Sequence, residues 1–200
     1  MTKYNITLEN DQNIILLNKQ KIIENSSVMF NYFLKSPVLL ENSALSRYFN
    51  PDLTIGFDLY ICDNSAIQKI NNDYRQKNEP TDVISFALFA DCEESRIIAN
   101  NQVNLGQIVI SAEKIVEFII SNKDEHKEKQ SLQMGYHALR ISHKQDFQSN
   151  IENEFRKEFY FILAHGILHL LGFDHKDENS LEFMLDTQKK MVENIQNVKI

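Results

Sequence analysis

The chain predicts one domain of mixed helix and strand, on three observations. Short β-favouring runs with alternating apolar residues recur between residues 53 and 111, and segments of helical spacing flank them on both sides. Near the C-terminus an apolar helix over residues 155–171 carries two histidines one turn apart. A chain of 200 residues, 42% hydrophobic and 24% charged, is ordinary globular composition with enough apolar surface for one core.

The elements follow in order. Residues 13–34 mix apolar and polar side chains at helical spacing, and Pro37 stops the helix; residues 36–52 read as a loop. LTIGFDLYICD alternates as a strand, after which Asn64 or Ser65 caps a helix, SAIQKINNDYR, with Ile67 and Ile70 on one face. Residues 81–88, TDVISFAL, and 105–111, LGQIVIS, read as strands that pair antiparallel, and residues 112–120 continue as a helix. Residues 121–150 are charged, Gln-rich and weakly periodic, and so read as a surface insertion within a single domain spanning 1–200. Its His126, His137 and His143 have irregular spacing and polar neighbours, which favours solvated positions. Residues 179–194 form an amphipathic helix that offers Leu181, Met184, Leu185, Gln188 and Met191 to the core.

Bulk properties exclude several classes. A net charge of −7 argues against a protein that coats nucleic acid by bulk electrostatics, so any such contact must come from a local basic patch. The start, MTKYNITLENDQ, shows no secretory pattern, and no apolar run approaches a membrane span. Cys62 and Cys92 lie far apart outside any CxxC pattern, which suits free thiols in a reducing, cytoplasmic compartment.

The run HGILHLLGFDH carries the chemistry. His165 and His169 stack on one helix face, Gly172 ends the helix in the left-handed conformation, and His175 can then swing back toward the same ion. Three protein ligands leave a fourth position open, the arrangement of catalytic rather than structural zinc. The frame is shared with zinc proteases of the HExxHxxGxxH form, whose metzincin site geometry it resembles. Gly166, however, stands where their catalytic Glu would be, so the usual peptidase base is absent.

A second candidate is Arg75, in YRQKNEPTDVISF. A planar, permanently charged fork suits phosphate, although spacing alone favours a solvated surface arginine. Taken in order, YRQKNEPTDVISF, LGQIVIS and HGILHLLGFDH resemble the YbeY family, metal-dependent endoribonucleases of ribosomal RNA maturation. The resemblance implies an α+β fold with a small mixed β-sheet packed against helices, and one zinc ion on His165, His169 and His175. It further implies that the substrate is single-stranded RNA, including the small-subunit rRNA 3′ end, that the partner is the ribosome or its small subunit with no DNA or membrane partner, and that Arg75 is an active-site residue. Arg47, Lys69, Lys77, Lys123, Lys127, Lys129, Arg140 and Lys144 are candidates for the positive track that RNA needs.

Three departures from the family pattern stand out. Ala87 replaces a usual Pro and permits the strand to continue, Gln107 replaces a common Asp and so removes a carboxylate that could have worked near the metal, which leaves the general base open, and the insertion is unusually long. Asp174 either orients an imidazole or caps the turn. Attack by water and attack by the RNA's own 2′-hydroxyl both remain open, as does the metal, since imidazoles also suit nickel, copper and iron. Two rival functions are a divergent zinc peptidase and a non-catalytic ribosome-assembly factor with a structural zinc.

Overall fold

Tyr4, Ile6 and Leu8 alternate with polar residues in KYNITLEN, and in the computed structural model, which describes residues 3–91, 100–123 and 145–196, this segment is an edge strand, β1 (Lys3–Asn10). It runs parallel to β2 (Thr54–Cys62), with Ile6 opposite Phe57 and Leu8 opposite Leu59. β2 is in turn parallel to β4 (Gln102–Ser111), and β3 (Val83–Phe86) pairs with β4 antiparallel, Ile84 opposite Val109. The order β1-β2-β4-β3 makes a four-stranded mixed sheet, and with helices packed on it the fold is α+β as expected. The antiparallel partnership of the TDVISF and LGQIVIS strands is present, while β1 went unpredicted.

Alternation along the strands sorts side chains onto two faces. Ile55, Phe57, Leu59 and Ile61 of β2, with Ile108 and Ile110 of β4, face the main core, which α1 (Lys19–Lys35) and the long α6 (Gln145–Leu170) complete. The opposite face holds a smaller cluster, Cys62, Ile84 and Val109, sealed by Ile67 of α3 (Asn64–Arg75). Cys62 is a free, fully buried thiol whose pKa burial pushes up to about 12, a value that makes it inert. Cys92 and the histidines at 126, 137 and 143 lie outside the described residues.

Helix α6 is the element that matters most for function. Phe155, Phe159, Leu163, Ile167, Leu168 and Leu170 on it are all at most 1% exposed, each contributing roughly 1.5–3 kcal/mol of burial. The helix begins by Gln145, so residues 145–150 belong to it and not to a surface insertion. Its polar first turns hid that start. α5 (Ala112–Lys123) and α7 (Glu178–Gln196) pack against it.

Other expectations need correction. The first helix starts at Lys19, capped by the Asn18 side chain on Lys21 N–H, and not at residue 13. Within the predicted loop 36–52, Pro37–Glu41 form a short helix, α2, with Pro37 at its first turn and Ser36 as its cap. Asp63, not Asn64 or Ser65, caps α3 through Ala66 N–H at 2.8 Å. The side chain of Asn64 is taken instead by Ser111 and Glu117. At Ala87 the strand stops, and the short α4 (Leu88–Asp91) begins one residue later. On α7, Met184, Gln188 and Met191 are buried as the stripe requires, whereas Leu181 and Leu185 remain about 40% exposed.

Candidate metal centre

The site is built at the C-terminal end of α6. Gly172 has φ +90°, a conformation that side chains with a Cβ resist. Its N–H donates to the His169 carbonyl at 2.9 Å, and Phe173 N–H donates to the Leu168 carbonyl at 3.0 Å, the paired bonds of a Schellman cap. The Leu171 carbonyl, which the helix leaves without an internal donor, accepts from Ala44 N–H at 2.9 Å, so the segment after α2 helps to finish the metal-bearing helix. Phe173 then packs edge-on against Phe33 and stacks on Phe183, which anchors the reversed chain.

This reversal returns His175 to the helix face. Its ring centroid lies 5.4 Å from that of His165 and 5.4 Å from that of His169. One nitrogen from each of the three rings falls within 4.8 Å of the others, with His165 and His169 half-buried and His175 exposed. The Nε2 atoms of His165 and His169 approach to 2.9 Å. Two imidazoles on one tetrahedral ion, with metal–nitrogen bonds of about 2.0–2.1 Å, put their nitrogens ~3.3 Å apart, so this pair fits a first-row ion after a shift of a few tenths of an ångström.

The protonation state fits as well. Burial, reinforced by the neighbouring imidazoles, lowers the pKa of His165 and His169, which keeps both rings neutral and their lone pairs available. For His165 the tautomer follows from one side chain that sequence reading assigned only to core packing. Gln188, 2% exposed, donates its Nε2–H to the Phe161 carbonyl at 3.2 Å, which turns its Oε1 toward His165 Nδ1, also at 3.2 Å. Oε1 can only accept, so Nδ1 carries the proton and Nε2 is left bare for a metal. A polar residue within an apolar helical stripe was the signal that could have found it.

Gly166 faces away from this centre. A Cβ there would lie 2.9 Å from Ile108 of β4, so the helix approaches the sheet too closely for a side chain. The position that holds a carboxylate in HExxH proteases is here pressed into the core.

A cavity of about 690 Å³ opens beside the histidines and is lined also by Arg75, Asp82, Glu158, Asp174 and Gln188. Arg75 is the last residue of α3. The next residue, Gln76, closes the helix at φ 58° with its N–H on the Asn72 carbonyl at 3.1 Å, while Asn71 Nδ2 donates to the Glu79 carbonyl at 2.8 Å and ties down the following loop. Tyr74 meets Phe86 edge-to-face at 4.9 Å, which seats this helix end on β3. The guanidinium is exposed, and among the described residues no carboxylate pairs with it.

Of the two roles open to Asp174, the geometry provides the turn: its carboxylate accepts from the His175 backbone N–H at 2.8 Å, which with Lys176 lowers its pKa. Gln107 lies on the opposite sheet face, beside Thr7, Asp58 and Tyr60. An Asp at that position would not have reached the metal cavity, which corrects the expectation that its loss empties the site of a carboxylate. Glu158, two turns before His165 on α6, lines the cavity and was missed, because seven-residue spacing from a ligand is invisible without the helix in view.

Comparison with known proteins gives a consistent set of matches. A sequence model of the family described as Endoribonuclease YbeY matches residues 38–140 and 123–196. A protein named endoribonuclease YbeY from Fusobacterium nucleatum is 30% identical over 172 residues, covering 82% of this chain and 85% of its own. One of the same name from Malacoplasma penetrans is 34% identical over 136 residues, 68% and 67% of the two chains. Another, from Bacillus licheniformis, is 37% identical over 134 residues, 66% of each.

Proposed function

Because this chain belongs to the YbeY family of endoribonucleases, we propose that it cuts single-stranded RNA in the cavity shared by the three histidines and Arg75. The observation that carries this reading is the convergence of three imidazole nitrogens within 4.8 Å on the wall of a cavity that the exposed Arg75 also lines. His165, His169 and His175 would hold the ion, and zinc is the best match to an all-nitrogen set with an open position. When bound, zinc supplies Lewis acidity there, toward water and toward a phosphoryl oxygen.

The chain's own residues supply the rest. Arg75 binds two oxygens of the scissile phosphate with its planar fork and offsets the charge that builds on phosphorus. Gln188 keeps His165 in the tautomer that leaves Nε2 free, and Asp174 holds the backbone of His175 in its turn. With residue 166 facing β4, no carboxylate follows the first ligand into the cavity, which favours phosphoryl over peptide chemistry. The wider role we propose is maturation of ribosomal RNA, including the small-subunit 3′ end, by a cytoplasmic protein that associates with the small ribosomal subunit. In this role residues 1–200 act as one domain. Among the described residues no helix is long and apolar enough to cross a membrane.

The test is cleavage of unstructured RNA by the wild type, His165→Ala and Arg75→Ala, with the product ends identified. Loss of cutting in both variants supports the reading. A 5′-phosphate end then means attack by water, and a 2′,3′-cyclic phosphate means attack by the 2′-hydroxyl. Undiminished cutting by both variants would sink it.

A further inference from the structure

A second cavity, of about 770 Å³, adjoins the metal cavity and shares Thr81, Asp82, Glu158 and Ile162 with it. Its volume is in the range of sites that enclose small organic ligands. The floor is apolar, with Ile162 only 7% exposed, while Phe118 of α5, 50% exposed, lines the cavity. Lys114, which also lines it, makes a partly exposed contact with Glu117 one turn along the helix, a pairing weak enough to yield to a phosphate.

The two carboxylates between the cavities differ. That of Asp82 is already used, accepting from Thr81 Oγ1 at 3.1 Å and Val83 N–H at 2.8 Å. That of Glu158 receives no hydrogen bond from any described residue, and burial, together with Asp82, holds its pKa above the usual carboxylate range. It is a half-buried acceptor short of donors. Its position also decides between two roles. Seven residues at ~1.5 Å each place Glu158 about 10 Å along the axis from His165. That offset, on the wall shared by the two cavities, favours a contact with a nucleotide beside the cut over one at the metal itself.

We propose that this second cavity seats the base of the nucleotide next to the cut, stacked on Phe118, with Glu158 accepting from its N–H edge. Guanine fits best. It alone presents two adjacent donors, the ring N1–H and the 2-amino group, to the two oxygens of one carboxylate, whereas adenine and cytosine offer a single amino group there. Phe118 supplies the sequence-tolerant part of the binding, because every base has a face to stack. The inference rests on the endoribonuclease reading for the identity of the strand, and it goes beyond that reading by assigning a base preference.

The experiment uses the full chain and oligouridylates carrying one guanosine or one inosine, which lacks the 2-amino group. Binding is read by stopped-flow anisotropy before cleavage, and cutting is followed in parallel. The wild type is expected to bind the guanosine RNA roughly tenfold more tightly than the inosine RNA, the effect of one hydrogen bond to a charged acceptor. In Glu158→Gln the ratio should fall below about two. A wild-type ratio near one, or the same ratio in the variant, overturns the proposal. Phe118→Ala gives a second reading that does not depend on the folding of the first variant: it should weaken both RNAs roughly tenfold, and unchanged affinity counts against the seat. If neither RNA is cut yet the guanosine ratio is present and lost in Glu158→Gln, the endoribonuclease reading fails while the base seat stands. If both RNAs are cut with no ratio, the seat fails and the enzyme stands.

Discussion

Replacing Gln188 with Leu is the sharpest probe of how the centre is held. The side chain is 2% exposed, and its two ends make 3.2 Å contacts, one to His165 Nδ1 and one to the Phe161 carbonyl. Leucine is close in volume, so packing is nearly conserved and the loss is electrostatic. The Phe161 carbonyl belongs to the interior of α6 and keeps its helical donor, so its share of the cost is small. The His165 Nδ1–H, half-buried, loses its acceptor, a penalty of about 1–3 kcal/mol. Part of that appears as lost stability, and part as freedom of the ring to change tautomer and present a proton to the ion. Removing such an outer partner of a ligating histidine weakens metal binding ~10–100-fold. Titration against a chelator of known affinity reads this directly, and thermal unfolding of the metal-free protein reads the remainder. An unchanged metal affinity in a folded Gln188→Leu protein would refute the tautomer argument. Gln188→Glu separates the effects: a carboxylate accepts from Nδ1–H more strongly, so it should retain metal better than Leu while raising the pH at which protons displace the ion.

Three further outcomes follow from the same geometry. Gly166→Ala places a Cβ 2.9 Å from two Ile108 atoms, an overpacking cost of about 1–3 kcal/mol only partly offset by the better helix propensity of alanine, so chemical denaturation should show net destabilisation. Gly172→Ala forces a Cβ residue to φ +90° and should cost about 1–2 kcal/mol, with a parallel loss of metal affinity as His175 is displaced; equal metal affinity would show that the turn does not position the ligand. For Glu158, the folded pKa lies above the ordinary 4.5, so the stability linked to its proton is full below pH 4.5 and is lost as pH rises through the folded value. Glu158→Gln should therefore unfold at a higher temperature than wild type above neutrality, with the advantage shrinking toward pH 4.5, and a pH-independent difference would show that the shift is not real.

How far the sequence reveals this site depends on how local each signal is. His165, His169 and His175 are legible because helix periodicity and one glycine convert their spacing directly into convergence. The alternation in TIGFDLYIC and the caps around α3 are equally local, although Asp63 outcompetes its neighbours for the cap because Asn64 is engaged by Ser111 and Glu117. β1 is harder. Its Tyr4, Ile6 and Leu8 alternate with polar residues, but at the sheet edge only Ile6 is buried, and the pattern is weak beside the apolar runs of the inner strands. Gln188 and Glu158 are hardest, since each gains its role from an element distant in the chain: the imidazole that α6 brings to α7, and the cavity that the loop before β3 and α5 close around α6. Gly166 reads in the sequence as a missing base, but in the structure as a contact surface for Ile108.

The central claim is that this chain cuts single-stranded RNA with an ion held by three histidines. Its most direct test is one preparation stripped of metal, assayed on a short unstructured RNA and on the same RNA annealed to its complement, and assayed again after one equivalent of zinc. The account predicts no cutting when stripped, restored cutting of the single strand, and an intact duplex; a stripped protein that cuts as fast as the zinc-restored one would contradict it.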